Sequence, residues 1–295
     1  MANLKLIRTR IKSVQSTQKI TKAMRLVAAA KVRRAQQRVL AGRPYNESLK
    51  RLINDCCVNL DEATLQSMPI MLKRPIKVVG LWVISSDRGL CGSYNSAVFR
   101  KTIERIEYYK QQNIDVVLVT VGSKANTFFK HSPLTKLKSY MHLPAIPSVE
   151  EAKMLAEFAL NKFLDASVDH VEIISTKFIS MLNSSVNAIN YLPIELHSSS
   201  PDSHTSLAPL KLFEPSVEEV LNDNILPLYL QNIFYQVLVE ASASELAARM
   251  NAMTNASNNA RDLISSLTLI YNKARQASIT QEILEIVGGA EALKS

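Results

Sequence analysis

The stretch from Thr21 to Leu40, TKAMRLVAAAKVRRAQQRVL, mixes small apolar residues with dense positive charge and contains no acid, glycine, proline or aromatic ring. Alanine, leucine, arginine, lysine and glutamine lose little or no rotamer freedom when the backbone winds up, so the stretch predicts helix. It lies in a longer segment with no proline or glycine between Met1 and Ala41. Asn3 can cap its start, and Gly42 and Pro44 supply a stop. From Leu4 to Ala41 such a helix would span roughly 57 Å, more than the width of a small domain.

The other end of the chain mirrors the beginning. No proline or glycine occurs between Pro227 and Gly288. Apolar residues step by fours and threes through Val239, Ala243, Leu246, Met250 and Met253. After a one-residue slip they resume at Ala256, Ala260, Leu263, Leu267, Ile270, Ala274 and Ala277. This is the heptad seam of a left-handed coiled coil. Its natural partner is the first helix, where Leu4, Ile7, Ile11 and Val14 step similarly. The pattern there pauses at the polar QSTQ and continues through Ile20, Met24 and Val27, then Ala28, Val32, Ala35 and Val39.

Between the two helical ends the period changes. IKVVGLWVIS (76–85) and DVVLVTVG (115–122) are β-branched runs of strand length, each followed by helical sequence, near 96–110 and 123–130. A further helix at 149–164 precedes HVEIISTKFIS (170–180) and VNAINYLPIEL (186–196), two runs that suit a hairpin. Alternating strands and helices predict a mostly parallel sheet covered by helices. The fold class is therefore α/β: a long antiparallel coiled coil of the terminal helices with an inserted Rossmann-like domain. The expected divisions are 1–60 for the first coiled-coil helix, 75–196 for the α/β domain, 197–226 for a connecting loop and foot, and 227–287 for the second helix.

Composition excludes several classes of function. The longest apolar run, around Val78 to Ile84, is far short of the roughly 20 residues that cross a bilayer, so no membrane insertion is expected. The amino terminus shows no apolar core with a cleavage site, hence no secretory signal. SSDRGLCGSYN (85–95) follows a strand and carries two glycines but lacks the Gly-Lys-Ser/Thr ending of a phosphate loop, and no GxGxxG occurs. The five histidines are scattered and no metal-ligand spacing appears. Cys91 reads as a small buried residue in a strand-to-helix turn, and NAS at Asn255 lies inside the coiled coil. No catalytic residue, metal or cofactor is expected.

The net charge of +9 is unevenly spread. Residues 1–51 carry 14 Lys and Arg against the single acid Glu47, and the remainder is net negative. Charge so one-sided exceeds what solubility requires, because solubilising surfaces intersperse signs. Two readings survive. The helix could track nucleic-acid phosphates, or it could be a shaft held in a protein collar lined by acidic loops. The absence of aromatic rings for stacking, and an apolar pattern that occupies much of the helix surface, count against nucleic acid.

Four stretches bear on that choice: IKSVQSTQKITKAMRLVAAAKVRRAQ, the SSDRGLCGSYN loop, ASELAARMNAMTNASNNA, and LIYNKARQASITQEILEIVGGAEAL. Together and in this order they resemble the gamma subunits of F-type ATP synthases, with a look nearest to cyanobacterial and plastid forms. The resemblance implies a central rotor shaft: the terminal helices stand inside a ring of alternating alpha and beta subunits, and the α/β domain stands outside it near the membrane rotor. It implies alpha, beta and epsilon subunits and the c-ring as partners, no nucleic acid, and no cofactor of the chain's own, since ATP and magnesium belong to the partner subunits. It also implies a peripheral place on an energy-transducing membrane, whether bacterial plasma membrane, thylakoid or mitochondrial inner membrane.

By the same resemblance Arg275, Gln276 and Thr280 match positions gripped by a catch loop of a beta subunit. Met24 and Arg249 match positions that couple the shaft to the beta lever, with coiled-coil packing the alternative for Met24. LKLFEPS resembles the segment that meets the c-ring, making Phe213 and Glu214 the contacts, although Lys211 and Phe213 stand where the family often has tyrosines. Plastid forms carry a cysteine-bearing insertion before the second long helix. The corresponding stretch here, Leu196 to Phe213, is short and has no cysteine. Adjacent Cys56 and Cys57 are poorly placed to pair, so no thiol switch of that kind is expected.

Overall fold

The computed structural model describes residues 4–58, 68–72, 74–194 and 216–292. Contacts divide the chain into two units, one of residues 1–30 with 249–295 and the other of residues 31–248. The first helix, α1 (Leu4–Val58), and the last, α5 (Leu226–Ala292), contribute to both.

In the first unit each helix shelters one narrow stripe. On α1 it comprises Leu4, Ile7, Ile11, Val14, Gln18, Thr21, Arg25 and Ala28. On α5 it comprises Met253, Ser257, Ala260, Ile264, Leu267, Tyr271, Ala274 and Ser278. Both sets alternate steps of three and four without a break, which is the 3.5-residue period of a left-handed supercoil. Two expectations are corrected here. The seam of α1 does not pause at QSTQ, because Gln18 and Thr21 carry it, while Ile20 and Val27 are 58% and 57% exposed. The slip on α5 is absent as well: Ser257 follows Met253, and Leu263 and Ile270 face outward. Following apolar residues alone steps around a polar residue that occupies a seam position.

In the second unit α1 continues through the expected stop. Pro44 removes one backbone hydrogen bond, to the carbonyl of Leu40. Both residues are exposed, so water can take up the freed carbonyl. The buried side holds the helix together. Leu49, Ile53 and Cys56 are in the core, Arg43 donates to the Phe178 carbonyl at 2.9 Å and lies 3.7 Å from Glu240, and Asn232 bonds Asn46. A Cβ at position 42 would come within 2.5 Å of the Gln236 amide oxygen, so glycine fits there because of close packing. Rising numbers on one helix meet falling numbers on the other, so the pair is antiparallel. Ahead of α5, a helical turn (Val217–Glu219) passes through a π-helical stretch (Val220–Ile225). That wide turn accommodates Pro227, which cannot donate to the preceding turn.

The inserted domain is a five-stranded mixed sheet. β1 (Val78–Ile84) runs parallel to β2 (Asp115–Val121) on one side and β4 (His170–Phe178) on the other; β3 (Thr135–Tyr140) extends the sheet parallel to β2, and β5 (Ser184–Leu192) closes it antiparallel to β4. The suspected hairpin is thus β4–β5. Strand β3 escaped the sequence reading: TKLKSY has only two large apolar residues, because it is an edge strand whose lysines discourage further pairing.

Side chains of β1 alternate between two cores. Val79, Leu81 and Val83 pack with Val98, Phe99 and Ile106 of α2 (Tyr94–Gln111). Trp82 and Ile84 face Ala152, Leu155 and Ala159 of α4 (Val149–Leu164), in a core that extends to Leu230, Phe234 and Val237 of α5. Burial on both faces explains the uninterrupted apolar run of β1.

Helix α4 begins with a reciprocal cap. The Ser148 hydroxyl accepts from the Glu150 amide at 3.2 Å, and the Ser148 amide donates to Glu151 at 2.7 Å. Ser148→Ala should cost about 1 kcal/mol, read as a lower urea midpoint with an unchanged denaturant slope.

Candidate partner-binding surfaces

In a doubly wound sheet a ligand binds outside the carboxyl ends of the strands, where strand order reverses. Here the reversal lies between β1 and β4, which makes SSDRGLCGSYN and the end of β4 the place to examine. The loop is a clamp. Asp87 Oδ1 accepts from the amide and hydroxyl of Ser123, at 2.8 and 2.6 Å, and from the His142 amide at 3.1 Å. Burial pushes the Asp87 carboxyl up, but these bonds and the charge of His142 outweigh it and hold the pKa below the ordinary value. Asn95 donates to Ser86 Oγ at 2.8 Å and to Cys91 Sγ at 3.2 Å. At Gly122, where α3 (Ser123–Phe128) begins, φ is +95° and a Cβ would lie 2.4 Å from the Ser85 carbonyl, so only glycine fits.

The crevice itself is filled. Tyr94 and Thr176 are buried there, with Glu245 of α5 close enough to act on Tyr94. Burial, with the charges of Glu245 and Cys91, pushes the Tyr94 hydroxyl far above its ordinary pKa. Further along α5, Tyr191 donates to the Leu230 carbonyl at 3.0 Å and Ser242 to the Ala145 carbonyl at 2.8 Å. The position that elsewhere receives a nucleotide therefore anchors a helix. Among the described residues no cluster of His, Cys, Asp and Glu could hold a metal ion, and no helix is long and apolar enough to cross a membrane.

The exposed chemistry lies on the helix pair. Lys5, Arg8, Arg10, Lys12, Lys19 and Lys22 are all exposed along α1. Arg275, Gln276 and Thr280 are exposed on α5 within about one and a half turns, and Thr280 Oγ1 donates to the Gln276 carbonyl at 3.0 Å. Arg275 has no acidic partner among the described residues, so its guanidinium fork is open to one. Met24 is half-buried, beside rather than on the seam, and Arg249 is half-buried. Phe213 and Glu214 lie outside the described residues. The sequence reading overlooked the last turns of α5, where Ile279, Ile283, Leu284, Ile286 and Val287 are all exposed. Their helical spacing reads as more coiled coil, and only structure shows that no other described part of the chain covers them.

Two long helices with an open basic surface, and a sheet whose ligand crevice is closed, define a scaffold that works through partners. The comparisons with known proteins agree. A family model described as ATP synthase matches residues 3–293. The ATP synthase gamma chain of Cyanothece sp. is 45% identical and that of a Synechococcus strain 46% identical, each alignment covering all of both chains. A chain from the central stalk and c-ring of the Tetrahymena thermophila mitochondrial ATP synthase superposes with a TM-score of 0.60 at 25% identity, covering 81% of this chain and 99% of that one. A chain of the Euglena gracilis mitochondrial ATP synthase shares the fold, with a TM-score of 0.67 at 18% identity over 98% of this chain and 94% of that one. The chain belongs to the family of ATP synthase gamma chains, the non-catalytic subunits that form the central stalk and rotor.

Proposed function

We propose that this chain is the torque-bearing shaft of a proton-driven ATP synthase, standing in a collar of alternating alpha and beta subunits with the epsilon subunit and the c-ring at its foot. The observation that carries the reading is the exposed Arg275 fork, with no acidic partner among the described residues, near Gln276 and Thr280 on a helix whose apolar end no other described residue covers. A planar guanidinium holds a carboxylate through two parallel bonds, which suits a contact that must grip, release and grip again. The bare isoleucines and leucines beyond it fit a greasy bearing. Met24 and Arg249 flank the seam where a lever of the beta subunit would press, and Phe213 and Glu214 would meet the c-ring.

The mechanism follows from symmetry. A helix pair has no three-fold axis, so it presents a different face to each of three beta subunits and holds their catalytic sites in different states. Rotation exchanges those states, and differential contact free energy becomes a change in nucleotide affinity. The complex would sit at an energy-transducing membrane, thylakoid or plasma membrane by kinship with the cyanobacterial relatives. Mixing the chain with alpha and beta subunits should yield a stable ATPase containing one copy of it. Sequence-selective DNA binding without assembly would overturn the reading.

Redox control of the plastid kind has no basis here. Cys56 and Cys91 are buried. The alignment with the Cyanothece chain runs over 319 residues against 295 here, so that relative carries residues with no counterpart in this chain. Hydrolysis by the assembled complex should differ by less than about twofold between oxidised and dithiol-treated samples, since the stretch from Leu196 to Phe213 carries no cysteine and Cys56 and Cys91 are buried. A several-fold activation abolished by replacing the three cysteines with serine would refute this.

A further inference from the structure

Between the two helices of the first unit lies a cavity of about 280 Å³, lined by Gln18, Lys19, Lys22 and Arg25 of α1 and by Thr254, Ser257, Asn258 and Arg261 of α5. Four of its eight lining residues are cations and none is an acid. None of the four has an acidic partner among the described residues. Arg25 is half-buried, and Arg261 Nη2 is steadied by the Asn258 side-chain oxygen at 3.1 Å. The charges line one concavity and repel each other with no ion-pair partner among the described residues.

The floor is unusual too. Gln18, Thr21 and Ser257 occupy seam positions, and Thr21 and Ser257 are 8% exposed. A polar residue in a heptad seam sacrifices stability. The Thr21 hydroxyl is taken up by the Gln18 carbonyl at 3.0 Å, but Gln18 and Ser257 line the cavity and make sense there if they leave a polar hollow under the cations instead of an apolar plug. The hollow has room for several waters' worth of ligand, at roughly 30 Å³ each.

We infer that this notch is a binding site for a multiply charged oxyanion, either free inorganic phosphate or the phosphate tail of a nucleotide. A single carboxylate would leave most of the charge uncompensated. A phosphate or diphosphate matches it, offering oxygens on every side to the two arginine forks, the two ammonium groups and the Gln18 amide. The inference goes beyond the shaft reading and does not require it, since the notch belongs to the chain itself.

The test is calorimetric titration of the full chain with inorganic phosphate, pyrophosphate and magnesium-free ADP in physiological chloride. Saturable binding is expected, with pyrophosphate tighter than phosphate. ADP binding as tightly as pyrophosphate would identify the nucleotide tail as the ligand, whereas exclusion of ADP would identify the inorganic ion. Lys22→Gln combined with Arg261→Gln should weaken binding by at least about tenfold, because each removes a charge-assisted bond. Lys5→Gln combined with Lys12→Gln removes the same charge elsewhere on the first unit and should change affinity by less than about twofold. Non-saturating heats, or equal weakening by both pairs, would show diffuse counterion attraction and overturn the site.

Discussion

Replacing Arg275 and Gln276 together by alanine is expected to reduce coupled ATP synthesis by tenfold or more while leaving the chain as stable as before. The two effects separate for a physical reason. Both side chains are exposed, and Arg275 has no acidic partner among the described residues, so folding loses little. Alanine is the better helix former, and exposed substitutions of this kind shift stability by roughly 0.5 kcal/mol or less. What is lost is the grip on a partner: charge-assisted bonds of about 1.5 to 3 kcal/mol each, where about 1.4 kcal/mol is already a factor of ten. Synthesis and hydrolysis measured in membrane vesicles, beside a thermal melt of the isolated chain, would separate the effects. Unchanged synthesis by the double variant would dismiss the catch assignment.

The largest effect on stability should come from Glu172. This residue of β4 is 1% exposed. It accepts from both Arg105 Nη2 and Nε, the latter at 2.9 Å, and from the Tyr109 hydroxyl at 2.5 Å, with His170 Nε2 at 3.6 Å. Burial alone would raise its pKa, but the bonds from His170, Arg105 and Tyr109 and the arginine charge bring it down to about 2. Glu172→Ala strands the half-buried guanidinium, and breaking a buried pair from one side costs about 3 to 5 kcal/mol. Replacing Glu172 and Arg105 together by methionine should restore most of that loss, because no charge is left unpaired. The pH dependence has a definite sign. A carboxyl depressed in the folded state contributes fully above its unfolded pKa near 4.5 and loses that contribution as pH falls toward 2. The stability difference between wild type and the double-methionine variant should therefore be flat above about pH 5 and move against the wild type below it. A difference independent of pH down to 2 would contradict this account.

Both buried cores and both long helices were legible in the sequence because burial imposes a period. β1 and β2 announce themselves through unbroken β-branched runs, and the terminal helices through threes and fours. What stayed hidden had its cause in tertiary contact. Pro44 reads locally as a stop, yet Arg43, Asn46 and Leu49 hold the helix across it. Strand β3 has no period because an edge strand buries so little. Gln18 and Ser257 read as interruptions but continue the seam. The residues proposed as the catch came only through family resemblance, since an isolated Arg-Gln pair on a helix carries no signal of its own. The filling of the crevice by Tyr94 and Thr176 lay beyond sequence reading altogether.

The unbroken 3.5-residue seam of the first unit gives the helix pair a lay, as in a two-strand rope. A left-handed rope is not indifferent to the sense in which its end is turned: one sense tightens the strands against each other, and the opposite sense slackens them. Reversing the machine exchanges the driving end of the shaft for the resisting one, so the opposed torques on its two ends keep the same sense in synthesis and in hydrolysis. The seam is therefore twisted one way only, and its softest stretch is the polar one around Gln18, Thr21 and Ser257. A rope whose lay is tightened by that one twist stays stiff in both directions of running, and a rope of the opposite hand would be slack in both.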